Sequence, residues 1–135
     1  MDTDLLVPIR ADGDIITARQ AGRQMAATLP FSSSDLTVIA AAISEIARNI
    51  LVYAVRGEVQ LTLVRQNGRQ GLTVEARDDG PGIADIGLAL QEGYSTSGSL
   101  GLGLPGARRL MDEFHIRSER GEGTVVTMRK WAREP

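Results

Sequence analysis

Glu45 and Asn49 stand four residues apart in the stretch Ser44-Glu-Ile-Ala-Arg-Asn-Ile50. On a helix, side chains at i and i+4 are neighbours, so this spacing sets a carboxylate beside an amide. A carboxylate can take the proton of an attacking hydroxyl while an amide oxygen binds magnesium, and phosphoryl transfer uses both roles. Taken alone, the pair reads more readily as part of a solvated helix face that includes Arg48. A second group, Asp78-Asp-Gly-Pro-Gly-Ile83, is built of turn dipeptides and could be a turn and nothing more. Its chemical reading is sharper. Glycines at 80 and 82 let the backbone approach a flat ring, and Asp78 can accept a hydrogen bond from an exocyclic amine such as that of adenine. A third group, Ser95-Thr-Ser-Gly-Ser-Leu-Gly-Leu-Gly-Leu-Pro-Gly106, runs a glycine-rich loop into a helix start at Pro105, where backbone N–H groups favour phosphate.

Gly101, Gly103 and Gly106 match G-x-G-x-x-G, but the residues before them are polar. Val125-Val-Thr127 stands where a dinucleotide fold wants an acidic residue. The chain also lacks G-x-x-x-x-G-K-[ST], H-R-D and D-F-G, so neither a P-loop nor an ordinary protein kinase fits.

The elements that must position these groups follow from periodicity. Leu5 to Arg10 reads as a short strand, and Asp12-Gly-Asp14 caps a helix whose stripe is Ile15, Ala18, Gly22, Met25, Ala26 and Leu29, ending near Pro30. Ser32-Ser-Ser34-Asp35 starts a second helix running to about Tyr53, with Ile39, Ile43, Ile46 and Ile50 as its buried stripe. At about 100° per residue, Glu45 and Asn49 fall to one side of that stripe, on the shoulder where helix should meet sheet. Glu58 to Val64 and Leu72 to Ala76 alternate as a β-hairpin around Asn67-Gly68, with a turn that could exceed two residues. Eight glycines fall within the 27 positions from Gly80 to Gly106, denser than a loop needs. From Pro105 a short helix is expected with Ala107, Leu110, Met111 and Phe114 on one side, then strands near His115–Ser118 and Gly123–Trp131. The sum is one α+β domain over residues 1–135: a two-layer α/β sandwich whose mixed, mostly antiparallel sheet carries helices on one face.

Composition narrows the chemistry. With 42% hydrophobic residues, 135 residues can bury a real core. No unbroken apolar run reaches the roughly 18 to 20 residues a bilayer span requires, and the acidic start is unlike a targeting leader, so a cytoplasmic protein off the membrane is expected. The absence of cysteine and the single histidine leave oxygen ligands for any metal, which favours magnesium. A net charge of −2 and only two Phe, two Tyr and one Trp argue against nucleic acid. His115, between Phe114 and Ile116, reads as structural, and Arg108-Arg109 as a solvated face.

Taken together and in order, E-x-x-x-N, D-x-G-x-G, a flexible stretch, G-x-G and a late Gly-Thr resemble the GHKL ATPases, which include gyrase, the histidine kinases and MutL. Within them, Ser44–Ile50, Asp79–Ile83, Gly93–Gly98 and Gly103–Phe114 look most like the stressosome switch kinases and the anti-sigma-factor serine kinases. The likeness spans nearly the whole chain. It implies the Bergerat-type ATP-binding fold and use of ATP with Mg2+, with Glu45 as general base and Asn49 as magnesium ligand. It also implies Asp78 as acceptor of the adenine amine, with Gly80, Gly82 and Ile83 shaping that side and Thr124 supporting it. A lid over about Ala84 to Leu100 follows, with Gly98, Gly101, Leu102, Gly103 and Leu104 at the nucleotide. By the same resemblance the acceptor is a Ser or Thr of a STAS-domain scaffold protein, and the released kinase activates a PP2C-type phosphatase upstream of a sigma factor. The alternative is a nucleotide-dependent module that sequesters a sigma factor or an anti-anti-sigma protein.

Overall fold

A computed structural model of the chain describes residues 4–54, 56–80, 103–119 and 121–132. Its elements are β1 (Asp4–Ile9), α1 (Asp12–Ala26), α2 (Ser33–Tyr53), β2 (Gly57–Gln66), β3 (Arg69–Asp78), α3 (Gly103–Leu110), β4 (Glu113–Glu119) and β5 (Gly123–Trp131). Alternation along the strands gives the sheet one apolar face: Val59, Leu61, Leu72, Val74, Ala76, Val126 and Met128 are buried, and the residues between them are not. Onto that face α2 lays Ile39, Ile43, Ile46 and Ile50, each at most 1% exposed. Isoleucine is a mediocre helix former, at a cost of a few tenths of a kcal/mol per residue, whereas burying each side chain contributes roughly 1.5–3 kcal/mol. Packing therefore decides that this segment is a helix. By length and mean hydropathy α2 would also pass as a membrane span, but its most apolar stripe is the one buried in this core.

The sheet order is β1-β2-β3-β5-β4, and each of these pairings is antiparallel. The β2–β3 hairpin turns in two residues, Asn67 (φ 55°) and Gly68 (φ 80°), the shortest form the sequence allowed. α1 starts at Asp12, earlier than its apolar stripe suggests, because the Asp14 carboxylate accepts from the N–H groups of Arg10 and Ala11 at 2.8 and 3.1 Å. The Ser32 hydroxyl caps α2 by accepting from the Asp35 N–H at 3.1 Å. Ala18, Gly22 and Ala26 form the buried edge of α1. A Cβ on Gly22 would lie 2.2 Å from Cδ1 of Ile43, so α1 packs closely beside α2.

Two expectations need correction. The helix after the glycine-rich stretch begins at Gly103 rather than Pro105, so Gly103 belongs to α3 and not to a loop. Phe114 lies in β4 and packs on the core from there, because the chain reverses at Met111–Asp112, where the Asp112 N–H bonds the Arg129 carbonyl at 3.0 Å. The lone histidine, His115, is exposed on edge strand β4.

Candidate active site

Glu45 lies past the middle of α2, with Ala42, Ile43, Ser44, Ile46 and Ala47 around it buried. Its side chain is 16% exposed, too little for a solvated face, and its Oε1 accepts from Nη1 of Arg48 at 3.1 Å. Helical angle alone sets Arg48 apart from Glu45, but three residues on is within reach of a long guanidinium stem. The Glu-x-x-Arg spacing was the available signal for this contact. Glu45 also lines a groove of about 410 Å³ between α1 and α2, together with Arg19, Arg23, Ala40, Ala41 and Ser44. At Glu45 this groove lies between two helices, created by the close approach of α1. Asn49, one turn on, is partly buried, and its side-chain amide forms no hydrogen bond among the described residues.

Asp78 ends β3, opposite Gly57 on one side and Thr124 on the other. Its Oδ1 accepts from the Gly80 N–H at 3.0 Å, closing a tight turn after the strand. Burial holds its carboxyl above the ordinary range; backbone donors from Gly80 and Thr124 act against that, and the neighbouring charge of Asp79 adds to it. Gly80 is pressed against the end of α2: a Cβ there would sit 2.7 Å from the Ala54 Cβ and 2.9 Å from its Cα. The turn that carries Asp78 is therefore clamped to the helix that carries Glu45 and Asn49.

Thr124 is 5% exposed, and its Oγ1 lies 2.8 Å from the Ser118 Oγ on β4. Ser118 donates to the Gly123 carbonyl at 3.0 Å, so Thr124 is left to donate the bond between the two hydroxyls, and its own oxygen keeps acceptor lone pairs. No motif marked Ser118: only the β4–β5 register, Ser118 opposite Thr124, brings it here. Leu104 is buried in α3, which packs against α2. Gly82, Ile83, Gly98, Gly101, Leu102 and the lid over 84–100 lie outside the described residues.

Among the described residues no three Asp, Glu or His side chains cluster as a metal cage. An amide with its hydrogen-bonding capacity unspent still fits magnesium, which commonly takes only one or two protein ligands and completes its shell with phosphate and water. The arrangement can thus hold a proton acceptor, an oxygen ligand for a cation, and a pair of acceptors for a flat polar ring.

Residues 8–130 match the histidine kinase-like ATPase domain. The serine/threonine-protein kinase RsbT of Bacillus subtilis is 47% identical over 133 residues, covering 98% of this chain and all of that protein. The anti-sigma F factor of Geobacillus is 31% identical over 121 residues, covering 84% of this chain and 82% of its own. A crystal structure of the RsbU and RsbW domains of a Mycobacterium tuberculosis protein superposes with TM-score 0.65 at 22% identity, over 98% of this chain and 34% of that one. A mycobacterial sensor histidine kinase superposes at 0.57 with 16% identity, over 97% and 100%. These two structures speak to the fold, and the domain match and the full-length relative to descent: the chain belongs to the histidine kinase-like ATPase domain family, in the branch that holds this serine/threonine-protein kinase.

Proposed function

We propose that the chain is an ATP- and magnesium-dependent protein kinase that phosphorylates a serine or threonine of a STAS-domain partner. Once released, it activates a PP2C-type phosphatase in a cytoplasmic sigma-factor pathway. The observation that carries the catalytic part is Glu45, a mostly buried carboxylate held by Arg48 at the edge of a groove wide enough for a polypeptide side chain. Its Oε atoms take the proton of the incoming hydroxyl as that oxygen bonds to phosphorus and the bond to the leaving phosphate oxygen breaks. Arg48 orients the carboxylate. Ala40, Ala41 and Ser44 keep that side of the groove low, so a hydroxyl on a short side chain can reach Glu45. Asn49 offers its amide oxygen to the cation, and Asp78 and Thr124 receive the base. Magnesium, when bound, neutralises charge on the transferring phosphates. Positioning and electrostatics supply most of the acceleration in such a transfer.

The anti-sigma F factors among the relatives favour one second reading, a nucleotide-dependent module that captures a sigma factor or an anti-anti-sigma protein. One experiment separates the two. The chain is incubated with γ-labelled ATP, magnesium and a candidate STAS-domain protein, beside a Glu45→Ala control. Label on the STAS protein that vanishes in the control supports the kinase. Retained nucleotide binding without transfer to any candidate supports the binding module.

A further inference from the structure

The buried side chains of β5 alternate as Thr124, Val126 and Met128, and the next position in that alternation is Lys130. A lysine is out of pattern there. Its side chain is only 15% exposed, and an ammonium withdrawn from water costs free energy unless it is paired and hydrogen-bonded. Its partners account for it: Nζ donates to the Leu110 carbonyl at 3.2 Å and lies 3.7 Å from Oδ1 of Asp112. Oδ2 of Asp112 accepts from the Trp131 N–H at 2.8 Å, and the Asp112 N–H donates to the Arg129 carbonyl at 3.0 Å. Leu110 is the last residue of α3, so the ammonium stands where helix carbonyls lack partners and the helix dipole favours a cation. Otherwise α3 is held by Leu104 and Ala107, buried in the core beside α2. Apolar contacts are non-directional and set the tilt of so short a helix only loosely, whereas the bonds at Leu110 and Asp112 have direction.

We infer that Lys130 and Asp112 are positioning residues for the phosphate chain of the nucleotide: they latch the C-terminal end of α3 to the end of β5 and so fix the aim of its Gly103 end. The inference rests on the nucleotide reading above, in which the glycines leading into α3 meet the phosphates. The helix has eight residues and is roughly 12 Å long, so the latch acts through the helix rather than by touching phosphate. A rigid rod carries a tilt at one end to the other. The base end of the site, at Asp78 and Thr124, stands on β3 and β5 and does not depend on α3. The latch should therefore govern the affinity contributed by the phosphates and leave the affinity contributed by the base alone.

The test titrates the full chain, with magnesium present, against adenosine and against β,γ-methylene-ATP, reading both affinities from the Asp78 and Gly80 amides by NMR. Lys130→Met keeps the apolar stem and removes the ammonium. Its affinity for the triphosphate should fall about three- to tenfold while that for adenosine stays at the wild-type value. Lys130→Arg, which can still donate to the Leu110 carbonyl, should recover much of the loss. Asp112→Asn keeps an acceptor for the Trp131 N–H but drops the charge facing Lys130, and should fall between the two. Asp112 is 43% exposed, so this variant should fold even if Lys130→Met does not, and the same ratio of affinities decides. A lower melting temperature with the wild-type ratio intact, or an equal loss for both ligands, would overturn the latch and leave a structural brace. A wild-type protein that binds the triphosphate no more tightly than adenosine would overturn the phosphate reading beneath it, a failure visible before any variant is made.

Discussion

Partway along α2, Glu45 is oriented by Arg48 on the same helix, one turn on. Beyond the end of α2, Asp78 is held by backbone donors from two places: Gly80, which is pressed onto Ala54, and Thr124, on the neighbouring strand. In the first region the Glu45–Arg48 pair and the Glu45–Asn49 spacing are local, made by side chains three and four residues apart on a single helix. The second is made by strand register and close backbone approach across elements distant in sequence. Local side-chain geometry can be altered without disturbing the fold, whereas register and close approach are the fold. Changes near Glu45 should therefore act on rate and changes near Asp78 on stability and nucleotide affinity together.

The largest expected effect tests the first half of that contrast. Glu45→Ala should slow phosphoryl transfer by about 10²- to 10⁴-fold, the usual share of a positioned general base. Nucleotide affinity and melting temperature should stay close to wild type, because Arg48, which pairs with Glu45, is 40% exposed and can turn to water. Gly123→Ala tests the other half. Gly123 has φ +89°, and a Cβ there would lie 2.2 Å from the Asp78 carbonyl oxygen. Strain and collision together should cost about 2–4 kcal/mol, lowering the melting point by roughly 10 °C, with nucleotide affinity falling in parallel. A stable Gly123→Ala protein that binds nucleotide normally would dissolve the distinction between the two regions.

The same contrast explains what the sequence made legible. The isoleucine stripe of α2, the Ser32 cap, the Asn67-Gly68 hairpin and the Glu45–Asn49 spacing all rest on residues within a turn or two of each other, where periodicity carries the information. Ser118 beside Thr124 and Gly80 against Ala54 depend on register and packing between distant segments, and no local pattern encodes them. The groove between α1 and α2 at Glu45 was not legible for a related reason: the small residues Ala18 and Gly22 announce a close contact but not its partner. Phe114 was drawn into a helical stripe because its spacing from Leu110 and Met111 suits a helix, and the reversal at Asp112 is made by a bond to Arg129, far along the chain.

Asp78→Asn sharpens the second region further. In the folded chain burial raises the Asp78 pKa, so the folded state holds this proton more tightly than the unfolded one. The stability this contributes is present at low pH and lost as pH rises through the folded pKa, so at neutral pH the ionised group is a liability. The variant should melt slightly higher than wild type at pH 7, by a few degrees at most because the group is only half-buried, and the gap should close in acid, where both side chains are neutral. Nucleotide affinity should drop about tenfold, since a neutral acceptor replaces a charged one. Thermal melts across pH beside a binding titration read both effects, and a variant that melts lower at pH 7 would contradict the sign.

The smallest expected effect concerns Arg48. Partly exposed i,i+3 ion pairs contribute about 0.3–0.5 kcal/mol, so Arg48→Met, which keeps the apolar stem, should leave the melting temperature within about 1 °C of wild type. If the guanidinium matters because it aims the Glu45 carboxylate, kcat should fall roughly three- to tenfold with the KM for ATP unchanged. Arg48→Lys, able to reach the same oxygen with a single charge, should recover part of the loss. Added salt should lower the wild-type rate toward that of the methionine variant, because the pair is partly open to solvent. A fall in melting temperature with kcat intact would make Arg48 a surface brace of α2 and leave Glu45 to be positioned by the buried residues around it.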